Sequence, residues 1–159
     1  MRKFILLLVL VPLLQGCPPC CKNISAHVYL KFQNGKGEDL LDPRTPNALN
    51  AEEIEVFVVR NGARVRLLNY TRDAPKNFKI YGSSKEQYHM KFFFDIAQES
   101  FVKKKVTMFI TYEDGSEDKL VGEFNDNDGP SVLLQSLWIN DVPKGRPSHL
   151  PSDAFVINK

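Results

Sequence analysis

The chain has 159 residues, of which 43% are hydrophobic, a length that suits one domain around one core. Its 21 lysines and arginines stand against 19 aspartates and glutamates, a formal charge of +2. That balance gives no bulk electrostatic argument for nucleic acid or for an acidic membrane face, and the local basic clusters, at Arg60, Arg64 and Arg66 and at residues 103–105, have acids scattered between them and read as solvated surface.

Residues 1–16 read as a signal peptide. Arg2 and Lys3 form a basic start, residues 4–14 an apolar run, and Leu14-Gln15-Gly16-Cys17 sets a cysteine after a small residue. The run is about half the ~20 apolar residues that a spanning helix needs, and Pro12 argues against a buried core helix. The ending resembles the bacterial lipobox. That resemblance implies diacylation of the Cys17 sulfur, cleavage before it and further acylation of its amine, so that the membrane is a partner through acyl chains. At roughly 0.8 kcal/mol per buried methylene, two or three chains hold a protein where one does not. The competing reading is an ordinary signal peptidase cut after Gly16 and secretion, for which Leu14 is larger than the preferred residue three before the cut. Cleavage removes Arg2 and Lys3, two of the 21 basic residues, and leaves 19 of each sign.

Residues 17–25 form a tether. All three cysteines lie there, in Cys17-Pro-Pro-Cys20-Cys21, so no disulfide staples the rest of the chain. Cys17-x-x-Cys20 matches a redox pair in spacing, but such a pair works at a helix N-terminus in a βαβ context, not at the start of a Pro-rich tether. Cys20 and Cys21 are left open to a strained adjacent disulfide, intermolecular cross-linking, lipidation or no role.

Period-two alternation then recurs along the chain. Residues 27–32 place Val28, Leu30 and Phe32 on one face and His27, Tyr29 and Lys31 on the other, and Asn34-Gly35-Lys36-Gly37 ends the strand. Residues 54–59 lead into Asn61-Gly62, the strongest hairpin signal available, after which Val65 and Leu67 continue the inner face. A short strand follows at 77–81, and one at 87–95 turns Tyr88, Met90, Phe92 and Phe94 inward. Residues 105–112 and 117–124 predict a second hairpin around Glu113-Asp114-Gly115-Ser116, with Val106, Met108, Ile110 and Tyr112 inside; residues 131–139 give a last clear strand with Trp138. The expected fold is all-β, an antiparallel two-sheet, immunoglobulin-like β-sandwich of seven or eight strands spanning residues 26–142. Asn50-Ala51-Glu52-Glu53 predicts one helical turn with a capping box. Residues 143–159 form a Pro-rich tail in which Phe155-Val156-Ile157 has the composition of an added edge strand.

Chemistry-bearing motifs are few, and no residue is assigned a catalytic role, a metal or a cofactor. His27 and His89 fall on polar strand faces and His149 in the tail, none with a ligand neighbour at zinc spacing. Gly82-Ser83-Ser84 lacks the Gly-x-Ser-x-Gly of a nucleophile elbow and reads as a turn. Asn125-Asp126-Asn127-Asp128-Gly129 gathers oxygen ligands, but EF-hand spacing puts Phe124 at the first ligand position and Gln135 at the twelfth, leaving a plain turn or a loose site at Asp126 and Asp128. Asn23-Ile24-Ser25 and Asn69-Tyr70-Thr71 match the glycosylation sequon, which matters only if the lipobox reading is wrong. Tyr29 and Phe93 lie on faces assigned to solvent, with Tyr81 a possible neighbour, and are the candidate ligand-binding residues. The alternative is that a loop or the tail covers them, since aromatics are common in strands.

The lipobox with its Pro/Cys tether, the stretch Gly37-Glu38-Asp39-Leu40-Leu41-Asp42-Pro43-Arg44-Thr45-Pro46-Asn47, the Ile54-Glu55-Val56 strand and the late Trp138-Ile139-Asn140-Asp141 resemble small uncharacterised lipoproteins of the Bacteroidetes. The Leu-Leu-Asp-Pro stretch is the specific part, and the Pro-rich tail departs from the pattern. The resemblance implies an acyl anchor and an outer-membrane setting, and carries no catalytic residue. Read physically, Leu40 and Leu41 fold inward while Pro43 and Pro46 stiffen an ordered loop. The expected function is that of a lipid-anchored, non-enzymatic envelope protein whose sandwich binds another envelope protein or serves assembly. The alternatives are a carbohydrate- or small-ligand-binding module using Tyr29 and Phe93, and a hydrolase with two acids about 5–9.5 Å apart. Pro18-Pro19-Cys20-Cys21-Lys22 lacks the acidic run of some surface-exported lipoproteins, which favours the periplasmic face.

Overall fold

The structure, a computed structural model, describes residues 23–83, 86–125, 131–148 and 150–159. The expected signal peptide, Cys17, Cys20, Cys21, the Asp126 and Asp128 loop and His149 lie outside the described residues.

Each alternating segment of the sequence has become a strand with one buried face. The twelve strands among the described residues are β1 (Asn23–Ser25), β2 (His27–Gln33), β3 (Glu55–Arg60), β4 (Ala63–Arg66), β5 (Phe78–Ser83), β6 (Glu86–Phe93), β7 (Phe101–Val102), β8 (Lys105–Thr111), β9 (Glu117–Phe124), β10 (Ser131–Ile139), β11 (Val142–Gly145) and β12 (Phe155–Asn158). They form two sheets. The larger runs β1-β10-β9-β8-β3-β4, with β11 added to β10 and β7 to β8; the smaller runs β12-β2-β6-β5. The chain passes from the large sheet to the small one at Ala26, whose carbonyl accepts from the Phe94 amide at 2.8 Å.

One apolar core fills the sandwich. Val28, Leu30 and Phe32 of β2 and Met90 and Phe92 of β6 meet Val56, Val58, Val106, Met108, Ile110 and Leu120 of the large sheet, all essentially inaccessible to solvent. Edge-to-face ring pairs cross the interior, Phe32 with Tyr112 at 6.1 Å and Phe94 with Phe124 at 5.8 Å, an arrangement that adds to area burial. Leu40 and Leu41 are buried as the sequence implied. Their loop is pinned by Asp39, whose carboxylate accepts from the Tyr88 and Leu41 amides at 2.9 Å each. The Arg44 guanidinium beside Asp42 holds that carboxyl down at about 2.

The two-sheet all-β sandwich agrees with the sequence reading, while its edges differ. Strand β1 pairs parallel with β10, and β12 parallel with β2, so the sandwich is antiparallel at its centre and parallel at two edges. β1, β7 and β11 are two to four residues long, too short to show alternation. Two of the hairpins meeting these strands turn through non-glycine residues of positive φ, Lys103 and Lys104 before β8 and Asn140 and Asp141 before β11. Residues 50–53 are a turn and not helical: Asn50 Oδ1 accepts from the Glu52 amide at 3.0 Å, and the expected reciprocal bond from Glu53 is not made. Residues 82–83 continue β5 where a turn was expected, with a bulge between Tyr81 and Ser83.

Candidate functional site

Alternation on the small sheet that buries Val28, Leu30, Met90 and Phe92 forces the intervening residues outward. Antiparallel register then sets them in rows. Lys79, Lys91 and Tyr29 lie side by side across β5, β6 and β2; His27 is opposite Phe93, and Tyr81 opposite His89. Tyr29 and Phe93, the candidate ligand-binding residues, are both half-exposed on this face, and Lys91 joins them. Its ammonium lies over the Tyr29 ring at 5.7 Å and over the Phe93 ring at 5.5 Å, within cation–π range. His27 packs edge-on against Tyr29 at 5.6 Å, His89 packs against it at 5.4 Å, and His89 also stacks on Tyr81 at 5.7 Å. Tyr81 is itself on the face, 44% exposed.

The face is sorted by charge. Outward positions of β2, β5, β6 and β12 hold Lys31, Lys79, Lys91, His27 and His89 and one acid, Glu86, which lies opposite Ser83 beyond the bulge at the far end of the sheet, and none of the ion pairs among the described residues involves those three lysines. At its rim a depression of about 360 Å³ lies between the 72–77 loop and the sheet, lined by Arg72, Asp73, Lys79, Tyr81 and Phe93. The sequence pointed to Tyr29, Phe93 and Tyr81 by alternation. It did not point to Lys91, because the Tyr29–Lys91 pairing joins β2 to a strand far along the chain.

The buried acids are occupied elsewhere. Asp95 is held by the Arg60 guanidinium at 2.8 Å and by the Ser100 hydroxyl, which ties β3 to the segment after β6. Asp118 accepts from the Tyr112 hydroxyl at 2.6 Å, the Asn140 amide at 2.7 Å and the Lys159 ammonium at 2.6 Å. Burial pushes the Asp118 carboxyl up, but those three donors outweigh it and hold the group below the usual carboxylate range. Burial and the neighbouring Asp118 push the Tyr112 hydroxyl well above its ordinary value. A larger depression of about 660 Å³ opens beside this cluster, between Leu40, Leu49, Asn50 and Tyr112. Its lysine, Lys159, is the one committed to Asp118.

Among the described residues no group of three or more His, Cys, Asp or Glu side chains is placed to hold a metal ion, and no helix is long and apolar enough to cross a membrane. No protein-family model, curated protein or solved structure matches the chain.

Proposed function

We propose that the protein is a lipid-anchored bacterial envelope protein, tethered through acyl chains on Cys17 in an outer-membrane setting like that of the Bacteroidetes lipoproteins it resembles. Its sandwich is a non-enzymatic binding module that holds an envelope component or serves envelope assembly. The observation that carries the reading is the outer face of β5, β6, β2 and β12, where lysines that form no ion pair among the described residues alternate with half-exposed rings. A glycan-binding reading would use the same Tyr29 and Phe93. Against it, each of these rings and Tyr81 already has one face taken, by Lys91 or by His89.

Photo-crosslinking residues placed at 29, 93 and 109 in the native envelope test this reading. Crosslinks are expected from 29 and 93 and not from 109 on the opposite sheet, and Cys17→Ala should move the protein out of the membrane fraction. Membrane retention of Cys17→Ala, or crosslinks without preference for one face, would overturn it.

A further inference from the structure

We propose that the outer face of the small sheet lies against the lipid bilayer itself, with Lys31, Lys79 and Lys91 on anionic headgroups and Tyr29, Phe93, Tyr81 and Val156 in the headgroup boundary. The proposal rests on the acyl-anchor reading of Cys17 and specifies what the domain touches once anchored.

Charge is the first argument. The chain after cleavage has equal numbers of basic and acidic residues, yet the small-sheet face carries three lysines and two histidines against one acid at its outward strand positions, Glu86 at the far end of β6. On the opposite face Arg64, Arg66 and Lys119 each meet an acid, Glu117, Glu55 and Asp141, at 2.8, 2.5 and 2.8 Å. The positive field is therefore concentrated on one flat side, and a planar anionic surface complements it. Chemistry is the second. Lysine and tyrosine place an apolar body in the boundary region and a charged or polar tip in water. Here they alternate across adjacent strands, with Tyr81 44% and Val156 40% exposed.

Tether length is the third. From Cys17 to Asn23, the first residue of β1, is six residues, a contour of at most about 21 Å. A domain of this length has a radius of gyration of about 14 Å, so the tether is shorter than the domain is wide and holds the domain close to the bilayer. The tether joins β1 at the edge of the large sheet and the chain enters the small sheet at His27, four residues after Asn23, so the row of His27 and Phe93 is the end of the small-sheet face nearest the tether. At the rim, the depression beside Lys79 and Arg72 gives a headgroup room; Asp73 is the acid lining it. A sugar or an acidic protein would satisfy the lysines, but the acyl anchor keeps the bilayer, and not those ligands, constantly within reach of the domain.

The test uses the acylated mature protein in vesicles of phosphatidylcholine alone and of phosphatidylcholine with phosphatidylglycerol. Lysine acetylation is then measured residue by residue by mass spectrometry. Lys31, Lys79 and Lys91 are expected to label about fivefold more slowly on the anionic vesicles. Lys105 and Lys119 of the opposite face should label equally on both. Protection should vanish in 1 M salt, where the screening length is about 3 Å, and Lys79→Glu with Lys91→Glu should abolish it at Lys31. Equal labelling of the three lysines on the two vesicle types would overturn the docked face while leaving the anchor standing. Failure to partition into neutral vesicles would overturn the anchor reading instead. Protection in native envelopes but not on anionic vesicles would show that a macromolecular partner covers the face, and would overturn the lipid assignment.

Discussion

The two outer faces of the sandwich are built from the same strand chemistry and handle charge in opposite ways. On the large sheet the Arg64 guanidinium lies 4.4 Å from the Phe57 ring and 4.6 Å from the Phe109 ring while reaching Glu117 at 2.8 Å, and Lys105 lies 4.4 Å from the Trp138 ring. Cations there are neutralised or seated. On the small sheet Lys79 and Lys91 stand directly opposite each other in register, an unfavourable like-charge pair with no acid at the outward positions around it. A face optimised only for folding would resemble the first. The second leaves like charges side by side at some cost in stability, as expected of a face that serves the proposed contact outside the domain.

The largest effect is expected where the two faces are mechanically joined. Lys159, at the end of β12 in the small sheet, reaches Asp118 of β9 in the large sheet, and the Lys159 amide donates to Gln33 at 2.8 Å. Asp118→Ala leaves the Tyr112 hydroxyl, the Asn140 amide and the partly accessible Lys159 ammonium without their shared acceptor, at a cost of about 3 kcal/mol. Urea denaturation should register that loss, and hydrogen exchange should show β12 opening while β8 and β9 stay protected. Because the folded Asp118 carboxyl is held below its ordinary value of 3.8, its contribution is complete above that value and is lost as pH falls through the folded one. Asp118→Asn should therefore flatten the acid limb of the stability profile, and an unchanged limb would show that the pair contributes nothing.

The next largest effect lies at the free edge of the small sheet. Gly82 has φ +148°, and a Cβ there would meet the Tyr88 Cα at 2.7 Å, so Gly82→Ala combines backbone strain with a clash that no rotamer change relieves. A loss of about 2 kcal/mol is expected, read as a lower denaturation midpoint. It should also weaken whatever binds the face, by disturbing the row of Tyr81 and His89. A variant with an unchanged midpoint would mean that the bulge can shift its register freely.

How much of this was readable beforehand follows from how local each signal is. Alternation in residues 27–32 and 105–112 is carried by neighbouring side chains, so β2 and β8 and their buried residues were legible, while β10 was legible as a strand although a bulge between Leu134 and Ser136 interrupts its alternation. So was the outward position of Tyr29 and Phe93. The type I′-like turn at Asn61 and Gly62, with φ 48° and 80°, was also legible because asparagine and glycine tolerate that conformation. The turn at Lys103 and Lys104 was not, since lysine gives no such cue. Partner choice was likewise hidden: that β12 lies parallel to β2, that Lys91 sits between Tyr29 and Phe93, and that Arg64 finds Glu117 are consequences of long-range register. The contrast between the two faces is thus a property of the assembled sheets, although each of its residues was visible in the sequence.

Removing the seated cation of the large sheet should have a moderate effect. Arg64→Ala loses contact with two rings, the Glu117 ion pair and a 3.0 Å bond to Thr111 Oγ1, together about 1 kcal/mol at a half-exposed site. Part of that penalty should disappear in 1 M salt, because the ion pair is screened while the packing of the arginine stem on the rings is not. An Arg64→Met variant, keeping the stem and losing the charge, should recover about half of the loss.

Lys91→Ala, the matching change on the small sheet, should barely alter stability. It removes cation–π contacts to Tyr29 and Phe93 at 5.7 and 5.5 Å, worth about 0.5 kcal/mol where exposed. It also relieves the repulsion from Lys79 across the register pair, a term of similar size and opposite sign. The expected net is within about 0.5 kcal/mol of the parent, and raising salt should stabilise the parent slightly more than the variant, the reverse of what Arg64→Ala shows. Opposite salt responses from two lookalike substitutions are the most direct signature that one face settles its charge internally and the other leaves it for a partner. If Lys91→Ala instead cost as much as Arg64→Ala, Lys91 would be a structural cation and the two faces would be equivalent.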